Sequence, residues 1–355
     1  MESHPVIVNS TPWKTGISSL ILCGVFLCWS GQSLAQDGRK VGFRFLESVS
    51  DARLSALGGH HAALLDVHSG AYRSNPAFLA DFLLSEAENP KIAGNPASKN
   101  PSFTIRPESP WAAGLTSGRL PAGITLAGVH YQKAFSIQQQ PVMLLTGIHS
   151  LLYGKMDLRT ETGETLGEFR SHDLEWSVAG ATRLTRQISA GATFSLLASQ
   201  YDQYRSSALS FRAGLYWISA QEQTALGLVI RNAGVQLTEY LSLREDLPVR
   251  ISVGITHKPA YFPARLMATV VDDLYGDFRP DWLAGVEFLL GDPVRFRLGY
   301  NHRTHSDLKS ASRIDLAGVQ TGIGIAVKEW NIDLSRSSWG RLGGVFQIGV
   351  SRTSK

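Results

Sequence analysis

Apolar and polar residues alternate along much of the chain from residue 111 onward. In the stretch 294–301, every second side chain is apolar, and arginine, glycine or asparagine stands between the apolar positions. Successive side chains of a strand point to opposite faces, so this pattern predicts a strand with one apolar and one polar face. Similar stretches follow one another without helical segments between them, which indicates a β-barrel.

The predicted strands fill the chain between residue 111 and the C-terminus. They lie near residues 111–120, 122–133, 142–153, 155–160, 165–171, 173–184, 187–199, 206–218, 223–232, 249–258, 264–273, 281–290, 293–303, 314–327, 330–336 and 341–351, and some are expected to merge. Strands of about 9–11 residues joined by short turns, such as Lys328-Glu329, fit the space available. The pattern is typical of an all-β, transmembrane antiparallel β-barrel over residues 111–355.

A soluble β protein would show the same alternation, so other signals are needed to place the apolar face. Aromatic residues lie near predicted strand ends, as they do in the interfacial girdles of membrane barrels. They are Trp111, Tyr131, Tyr153, Tyr216, Trp217, Trp282, Tyr300, Trp330 and Trp339. Charged residues on the polar faces would suit a wet lumen, namely Arg212, Arg295, Arg297 and Asp333. We therefore expect the apolar faces to meet lipid.

The first 35 residues, 1–35, have the organisation of a secretory signal peptide. Lys14 precedes an apolar run, and Ser33-Leu34-Ala35 provides the small residues of a cleavage site. The run is shorter than the ~20 residues that a membrane-spanning helix needs. It contains both cysteines of the chain, Cys23 and Cys28, so the mature protein is expected to lack disulfides and thiolate metal sites.

Residues 36–110 lack the alternation and are predicted to form a separate, partly helical segment. Within it, the apolar residues and double glycine of the stretch 50–59 predict a short helix. Ser50 or Asp51 is the predicted N-cap, and the glycines end the helix.

A second helix is predicted over residues 75–84. Asn75 stands at its N-cap and Pro76 in its first turn, where the missing N–H of proline costs nothing. The following stretch, 89–110, is rich in Pro, Asn and Ser and predicts a loop.

Composition narrows the range of partners. The chain is 43% hydrophobic and 18% charged, with a formal net charge of +4 and no block of like charges. This composition suits a folded protein and lacks the basic footprint of nucleic-acid binding. The 34 glycines suit tight turns and close approaches between neighbouring strands.

Few residues point to chemistry. His60 and His61 lie near Asp66 and His68, but a metal-ligand spacing is absent, and solvated loop histidines are the commoner explanation. The stretch 302–307 holds two further histidines just past a strand end, which predicts a polar loop. Motifs of the G-x-S-x-G, P-loop and H-E-x-x-H types do not occur. We therefore predict no enzymatic activity, no cofactor and no metal.

A set of short motifs lies in a defined order between about Phe43 and Leu274. Its main positions, predicted to be structural, are Ala52, Arg53, Ala56, Leu57, Gly58, Gly59, Asn75, Pro76, Ala77, Tyr153, Gly154, Asn232, Gly234, Gln236, Pro248 and Pro263. Through this ordered set the chain resembles the PorV/PorQ family of outer-membrane proteins of the type IX secretion system. Residues after Asp281 carry no motif of that family, and the C-terminus lacks the aromatic residue common in bacterial barrels.

The resemblance implies a barrel like that of the fatty-acid transporter FadL, with about fourteen strands and the segment 36–110 packed inside or beneath it. It also implies a non-enzymatic outer-membrane anchor of a surface attachment complex. Its partners would be outer-membrane lipid, a PorZ-like surface protein and a PorU/PorV-like sortase complex. Predicted docking loops lie near Ser199–Arg205, Glu239–Glu245 and Asn301–Ser310. The alternative is a FadL-like transporter of hydrophobic small molecules, with an apolar ligand path through the lumen.

Overall fold

The computed structural model describes most of the chain from residue 41 onward. The described residues are 41–83, 110–138, 140–160, 162, 164–240, 244–275, 280–291, 293–309 and 315–354. The predicted signal peptide and nearly all of the predicted loop 89–110 lie outside these ranges. The predicted borders after residues 35 and 110 therefore stay predictions.

Fourteen strands form one closed antiparallel barrel, in which neighbours in sequence are neighbours in space. The strands are β1 (Trp111–Arg119), β2 (Thr125–Ile137), β3 (Gln140–Arg159), β4 (Thr165–Arg183), β5 (Ile188–Tyr201), β6 (Tyr204–Ile218), β7 (Thr224–Thr238), β8 (Arg250–His257), β9 (Ala264–Asp273), β10 (Asp281–Leu289), β11 (Val294–Asn301), β12 (Val319–Val327), β13 (Trp330–Ser338) and β14 (Gly344–Thr353). β14 pairs with β1 from Ala112 opposite Thr353 to Arg119 opposite Phe346, which closes the barrel. The predicted barrel of about fourteen strands is confirmed.

Helices are short throughout the part of the chain that the structure describes. They are the α-helices α1 (Ala52–Ala56) and α2 (His302–Leu308), and the 3-10 helices Arg44–Glu47, Ser69–Arg73, Pro76–Leu83, Pro121–Gly123 and Gly340–Leu342. Asp51 caps α1 as predicted, since its Oδ1 accepts a hydrogen bond of 2.9 Å from the Leu54 N–H. None of these helices is long and apolar enough to cross a membrane.

The second helix, predicted over 75–84, is a 3-10 helix over Pro76–Leu83. Asn75 caps it as expected, accepting a hydrogen bond of 3.0 Å from the Ala77 N–H. Its first residues press against Gly191 and Gly214 of the wall, where even an added Cβ would overlap the segment. The tighter 3-10 helix suits this narrow space.

Two pairs of predicted strands are single long strands. The stretches 142–153 and 155–160 merge in β3, and 165–171 and 173–184 merge in β4. The register between β3 and β4 shifts between Leu152 and Lys155, and Gly154 has a φ of +76°. The break in the alternation was therefore a β-bulge and not a turn.

The region 293–327 differs most from the prediction. β11 ends at Asn301, because Asn301 caps α2 by accepting a hydrogen bond of 2.9 Å from the Thr304 N–H. The polar loop predicted over 301–310 is thus mostly helical, and β12 begins only at Val319.

The outer face of the barrel is apolar and the inner face is polar. Exposed side chains on alternate strand positions include Leu115, Val129, Ile148, Phe194, Ile323 and Ile348. The buried face of the same strands carries Glu175, Arg212, Glu287 and Arg297, among others. This is the arrangement of a transmembrane barrel with lipid outside and polar groups in its lumen.

The aromatic residues predicted to form girdles do not share one location, since Tyr153 and Trp339 line a cavity of the lumen and only some of the others lie on the outer face. Tyr131, Trp282 and Trp330 are exposed on the outer face. Tyr216 is buried instead, and its hydroxyl donates a hydrogen bond of 2.6 Å to the Leu64 carbonyl. Its girdle assignment was wrong because position 216 lies on the inward face of β6, where it packs on residues 41–83.

The two ends of the barrel have connections of different length. The end where β1 begins and β14 ends, the termini end, has short turns such as 184–187 and 328–329. The opposite end, the long-loop end, has the connections 239–249, 274–280 and 302–318. In bacterial outer-membrane barrels the longer loops are extracellular and the short turns are periplasmic.

The predicted docking loop Ser199–Arg205 is almost entirely strand. Tyr201 and Tyr204 pair directly across a two-residue turn in which Asp202 has a φ of +54°. The predicted loop Glu239–Glu245 does connect two strands at the long-loop end, although 241–243 lie outside the described ranges.

Residues 41–83, here called the inner segment, lie inside the barrel and run between its ends. Val41 forms a β-bridge with Asp246 at the long-loop end. Asp81 pairs at 2.7 Å with Arg183, whose Nη1 also donates to the Arg186 carbonyl in a turn of the termini end.

Inward-facing glycines line the path of the inner segment. An added Cβ would overlap the segment at several of them: Gly191 against Pro76, Gly214 against Asn75, Gly227 against Ala62, Gly285 against Leu57 and Gly299 against Gly58. These glycines make room for the segment, whereas the sequence suggested close approaches between strands. We call them the glycine row.

Candidate functional site

The inner segment forms an apolar floor near the long-loop end. Phe43, Phe45 and Leu46 of the segment pack with barrel residues Leu126, Leu151, Leu197, Ala208 and Leu247. Deeper in the barrel, the rest of the segment packs against the glycine row. The lumen beneath the floor is therefore occupied by the chain itself.

A cavity of about 560 Å³ adjoins this floor, and we call it the outer cavity. Its apolar lining includes Phe45, Val49, Leu120, Ile124, Leu126 and Leu151. Its charged and amide lining includes Arg44, Glu47, Arg231, Asn232, Arg250, Asp281, Arg303 and Asp307. An apolar hollow with a few convergent polar groups is the usual form of a small-molecule site.

Glu47 organises the charges on one side of the outer cavity. Its Oε1 accepts hydrogen bonds from Nε and Nη2 of Arg250, at 2.8 and 2.6 Å. Arg303 of α2 approaches the same oxygen at 3.5 Å. Nη1 of Arg250 also pairs with Asp273 at 2.8 Å. These ion pairs connect the segment to β8, β9 and α2 around the cavity.

Below the cavity, Glu287 binds the inner segment through a buried charge cluster. Its carboxylate is 0% exposed and accepts two hydrogen bonds from Arg53, at 3.0 and 2.9 Å. Arg265 and Arg297, which face Glu287 on the two neighbouring strands, donate to it at 2.6 and 2.8 Å. Arg53 also donates to the carbonyls of Leu65 and Asp66, so it ties the two arms of the segment together.

Glu175 makes a second cluster of the same kind on the other side of the lumen. It is 0% exposed and pairs with Arg73 of the segment at 2.8 Å and with Arg212 of β6 at 2.6 Å. Ser195 donates a further hydrogen bond of 2.9 Å to its Oε1. Each cluster thus uses a buried wall glutamate to hold one arginine of the inner segment.

The histidines considered as metal ligands are buried and hydrogen-bonded. Nε2 of His61 donates to the Leu57 carbonyl at 2.8 Å, and Nδ1 accepts from the Thr269 hydroxyl at 3.0 Å. Burial lowers the pKa of His61 to about 4, so its imidazole is neutral at pH 7. His60 contacts the Ser74 hydroxyl at 2.9 Å, and burial together with nearby arginines lowers its pKa as well.

The interpretation of His60 and His61 as solvated loop residues was wrong, because both are buried in the inner segment inside the barrel. Among the described residues no group of three or more His, Cys, Asp or Glu side chains could hold a metal ion. His68 pairs with Asp51 at 2.7 Å and so belongs to the segment's own framework.

The first group of motif residues lies in the inner segment. Ala52, Arg53 and Ala56 belong to α1, and Leu57, Gly58 and Gly59 end it against β10 and β11. Asn75 donates to the carbonyls of Ala62 and Leu215, at 2.9 and 3.2 Å, and is followed by Pro76 and Ala77.

The second group lies in the wall, mostly at the long-loop end. Asn232 reaches the Pro248 carbonyl at 3.2 Å, and Gln236 accepts a hydrogen bond of 2.7 Å from the Glu245 N–H. Gly234 lets the Leu209 carbonyl approach closely. Tyr153, beside Gly154, lines the outer cavity and donates to Asp173. Pro263 is separate, in a turn at the termini end.

Sequence reasoning missed the two glutamates that hold the inner segment. Glu175 and Glu287 stand on polar strand faces, as does Arg297, which was expected in the lumen and lies there at 1% exposure. The available signal was a glutamate on the polar face of one strand, opposite arginines on the polar faces of the neighbouring strands. Its partners Arg53 and Arg73 lie far away in sequence, so the cluster could not be assembled from spacing.

The barrel has the fold of solved hydrocarbon transporters. TodX, the toluene transporter of Pseudomonas putida, matches with a TM-score of 0.51 and 12% identity over 86% of this chain and 98% of that chain. TbuX, the toluene transporter of Ralstonia pickettii, matches with a TM-score of 0.50 and 14% identity over 86% of this chain and 97% of that chain. Identities this low show the fold alone, that of a closed fourteen-strand barrel.

No family model matches the sequence, and no curated protein matches it. The barrel of about fourteen strands that the sequence resemblance implies is confirmed by the fold. The PorV/PorQ family and a role in type IX secretion stay proposals.

Proposed function

We propose that this protein takes up a hydrophobic small molecule across the outer membrane and that the outer cavity is its first binding site. The observation that carries the proposal is the cavity's place, at the long-loop end and against an apolar floor that includes Phe45, Leu126 and Leu151. Two barrels of the same fold are toluene transporters, which agrees with this class of ligand.

Uptake in this proposal requires the inner segment to move. The segment fills the lumen below the cavity and is held by the clusters around Glu175 and Glu287. Phe45 and Val49 of the segment line the cavity, so a bound ligand touches the element that must move. A ligand shifts a conformational equilibrium only through contacts that differ between the two states, and these contacts meet that condition.

The test is an uptake assay in cells of an outer-membrane-bearing host that lacks the protein. The probe is N-phenyl-1-naphthylamine, a neutral dye that fluoresces in apolar surroundings. Leu151→Gln changes the cavity, whereas Leu152→Gln changes the adjacent lipid-facing residue of β3 as a matched control. We expect expression to accelerate uptake and Leu151→Gln to remove most of the gain. Equal uptake with and without the protein would refute the proposal.

A second proposal is a non-enzymatic anchor in the attachment complex of the type IX secretion system. The ordered motifs favour this role. Buried ion pairs also fix the inner segment in the lumen, as expected for a barrel that does not transport a ligand. Helix α2 would offer Arg303 and Asp307, whose side chains are partly exposed at the long-loop end. The test is a tagged pull-down from detergent-solubilised outer membrane with mass spectrometry. Recovery of a PorZ-like protein and sortase components supports anchoring, and a barrel recovered alone opposes it.

A further inference from the structure

The outer face of the barrel carries a groove of about 670 Å³ beside the seam where β14 pairs with β1, and we call it the seam groove. The side chains that form it stand at outward positions of the strands, so the groove is separate from the lumen. These side chains make two rows around the wall. The arginine row, nearer the long-loop end, contains Arg119, Phe346 and Arg336, and the apolar row below it contains Ile348, Leu334 and Ile323.

Strand register places the two arginines on either side of one aromatic ring. Phe346 of β14 stands opposite Arg119 of β1 and opposite Arg336 of β13. The arginines are therefore two strand spacings apart, about 10 Å at their Cα atoms. Cζ of Arg336 lies 5.3 Å from the centre of the Phe346 ring, a cation–π contact that holds this guanidinium against the wall. Two long side chains at this spacing can bind the same phosphate group.

The arginine row lies at the depth of lipid headgroups. β1 and β13 have nine residues and β14 has ten, which is the length that spans the hydrocarbon region. The guanidinium of Arg119 lies next to Gly123 in the turn after β1, and that of Arg336 lies next to Gly344 at the start of β14. The charges are therefore at the ends of the strands, whereas the apolar row faces the acyl chains of the same leaflet.

The positive charge of the arginine row is not balanced by the wall. The four strands β1, β12, β13 and β14 contain a single acidic residue, Asp333, which faces inward. In the part of the chain that the structure describes, neither Arg119 nor Arg336 makes an ion pair. At the opposite end of β14, by contrast, the outward-facing Arg352 pairs with Glu329 at 3.0 Å. The seam groove thus offers two cations without an acid, and an anion complements it.

We propose that the seam groove binds a lipid of the leaflet at the long-loop end, one whose headgroup is a phosphate and whose acyl chains lie along the apolar row. A guanidinium matches phosphate oxygens with parallel N–H donors, and clusters of basic residues at a membrane surface bind such headgroups. The apolar row accepts the chains of any lipid, so the phosphate decides which lipid the groove retains. The groove lies outside the lumen, and the inference is independent of the proposed uptake.

Native mass spectrometry of the full-length barrel in dodecyl maltoside micelles tests the inference by counting bound lipid. Dioleoyl phosphatidic acid carries a phosphate on two acyl chains, and dioleoylglycerol has the same chains without a phosphate. The variant is the double change Arg119→Gln and Arg336→Gln. Its control is Arg352→Gln, which removes an outward-facing arginine of the same seam at the termini end.

The native barrel should bind phosphatidic acid more tightly than dioleoylglycerol. The double variant should weaken phosphatidic acid binding about tenfold or more, the usual effect of losing charge-assisted hydrogen bonds. Its binding of dioleoylglycerol should be unchanged, which shows that the groove itself is intact. Arg352→Gln should bind both lipids as the native barrel does.

A second pair of variants locates the acyl chains. Ile348→Ser changes the apolar row, and Ile148→Ser changes a lipid-facing isoleucine of β3 outside the groove. The two native side chains are matched in exposure, at 44% and 45%. Ile348→Ser should weaken binding of both lipids, and Ile148→Ser should weaken neither. Equal effects of the two changes would mean that the chains do not lie in the groove, and the inference would fail.

Three other results would overturn the inference. Dioleoylglycerol bound as tightly as phosphatidic acid would show that the phosphate is not recognised. Native affinity of the double variant for phosphatidic acid, or an equal loss in Arg352→Gln, would show that Arg119 and Arg336 do not form the site. Displacement of phosphatidic acid by inorganic phosphate at equal concentration would assign the arginines to the free ion and not to a lipid.

Discussion

Replacing Glu287 with glutamine should loosen the inner segment from the barrel wall. In the native protein its buried carboxylate accepts hydrogen bonds from Arg53, Arg265 and Arg297 at 2.6 to 3.0 Å. Glutamine keeps the size of the side chain and removes its charge. Three guanidinium groups would then surround a neutral amide that itself offers N–H donors.

The energetic cost of Glu287→Gln for docking is estimated from the hydrogen bonds between Glu287 and the inner segment. Removing one partner of a buried ion pair typically costs about 3–5 kcal/mol. Of the arginines around Glu287, only Arg53 lies on the segment, and it donates two of the hydrogen bonds. We therefore assign about 3 kcal/mol to docking of the segment, the lower end of the range. A change of 1.4 kcal/mol is tenfold, so the released population should rise roughly a hundredfold.

Conductance across planar lipid bilayers measures this release, because a vacated lumen conducts ions. Openings should be rare for the native barrel and frequent for Glu287→Gln. The matched control is Glu329→Gln, which removes the same charge from a more exposed pair with Arg352 at 3.0 Å, where little energy is at stake. A Glu287→Gln barrel that folds normally and conducts no more than the control would refute the reasoning.

Three other changes test separate parts of the structure. Gly227→Ala should displace the inner segment at Ala62 and destabilise its docking by about 1–3 kcal/mol. Protease cleavage of the segment should then increase. Gly128→Ala, where a Cβ has room, should leave the cleavage unchanged. Arg231→Gln should raise the free energy of unfolding by about 1 kcal/mol, and with it the thermal unfolding temperature, because a buried charge without an ion pair among the described residues is removed. An unfolding temperature no higher than that of Arg341→Gln, a change of an exposed arginine, would contradict this. Burial lowers the pKa of His61 from 6.5 to about 4, so docking should be stable above pH 6.5 and lose about 3 kcal/mol as pH falls to 4. Conductance measured against pH should show this loss in the native protein and a smaller one in His61→Gln.

The barrel wall was predictable because the alternation of apolar and polar residues that identifies a strand is contained within that strand. A strand between lipid and a polar lumen must alternate, so stretches such as 294–301 could be recognised one at a time. The bulge at Tyr153-Gly154 interrupted that alternation, and one strand was divided into two. Helix α2 was missed because its seven residues carry histidine, arginine and aspartate and have no apolar face that would show a helical period.

The interior was much less predictable, because its contacts join distant parts of the chain. Arg53 and Glu287 are 234 positions apart, and nothing near either residue indicates the other. His61 was interpreted as solvated for the same reason. The ordered motifs marked Asn232 and Asn75. They could not show that Asn232 lies in a β-bulge of β7 or that Asn75 joins the inner segment to β6.

The arrangement of the inner segment sets an order of events for assembly. The Val49 carbonyl accepts a hydrogen bond of 2.9 Å from Gln347 of β14, 298 positions later in the chain. Ser55 meets Ser337 of β13 at 3.0 Å, across a separation of 282 positions. The inner segment is made before the barrel strands and therefore finds its last partners only when the final hairpin is in place. Contacts so distant in sequence form late. We therefore expect the barrel to close and the inner segment to dock together, as the last step of biogenesis.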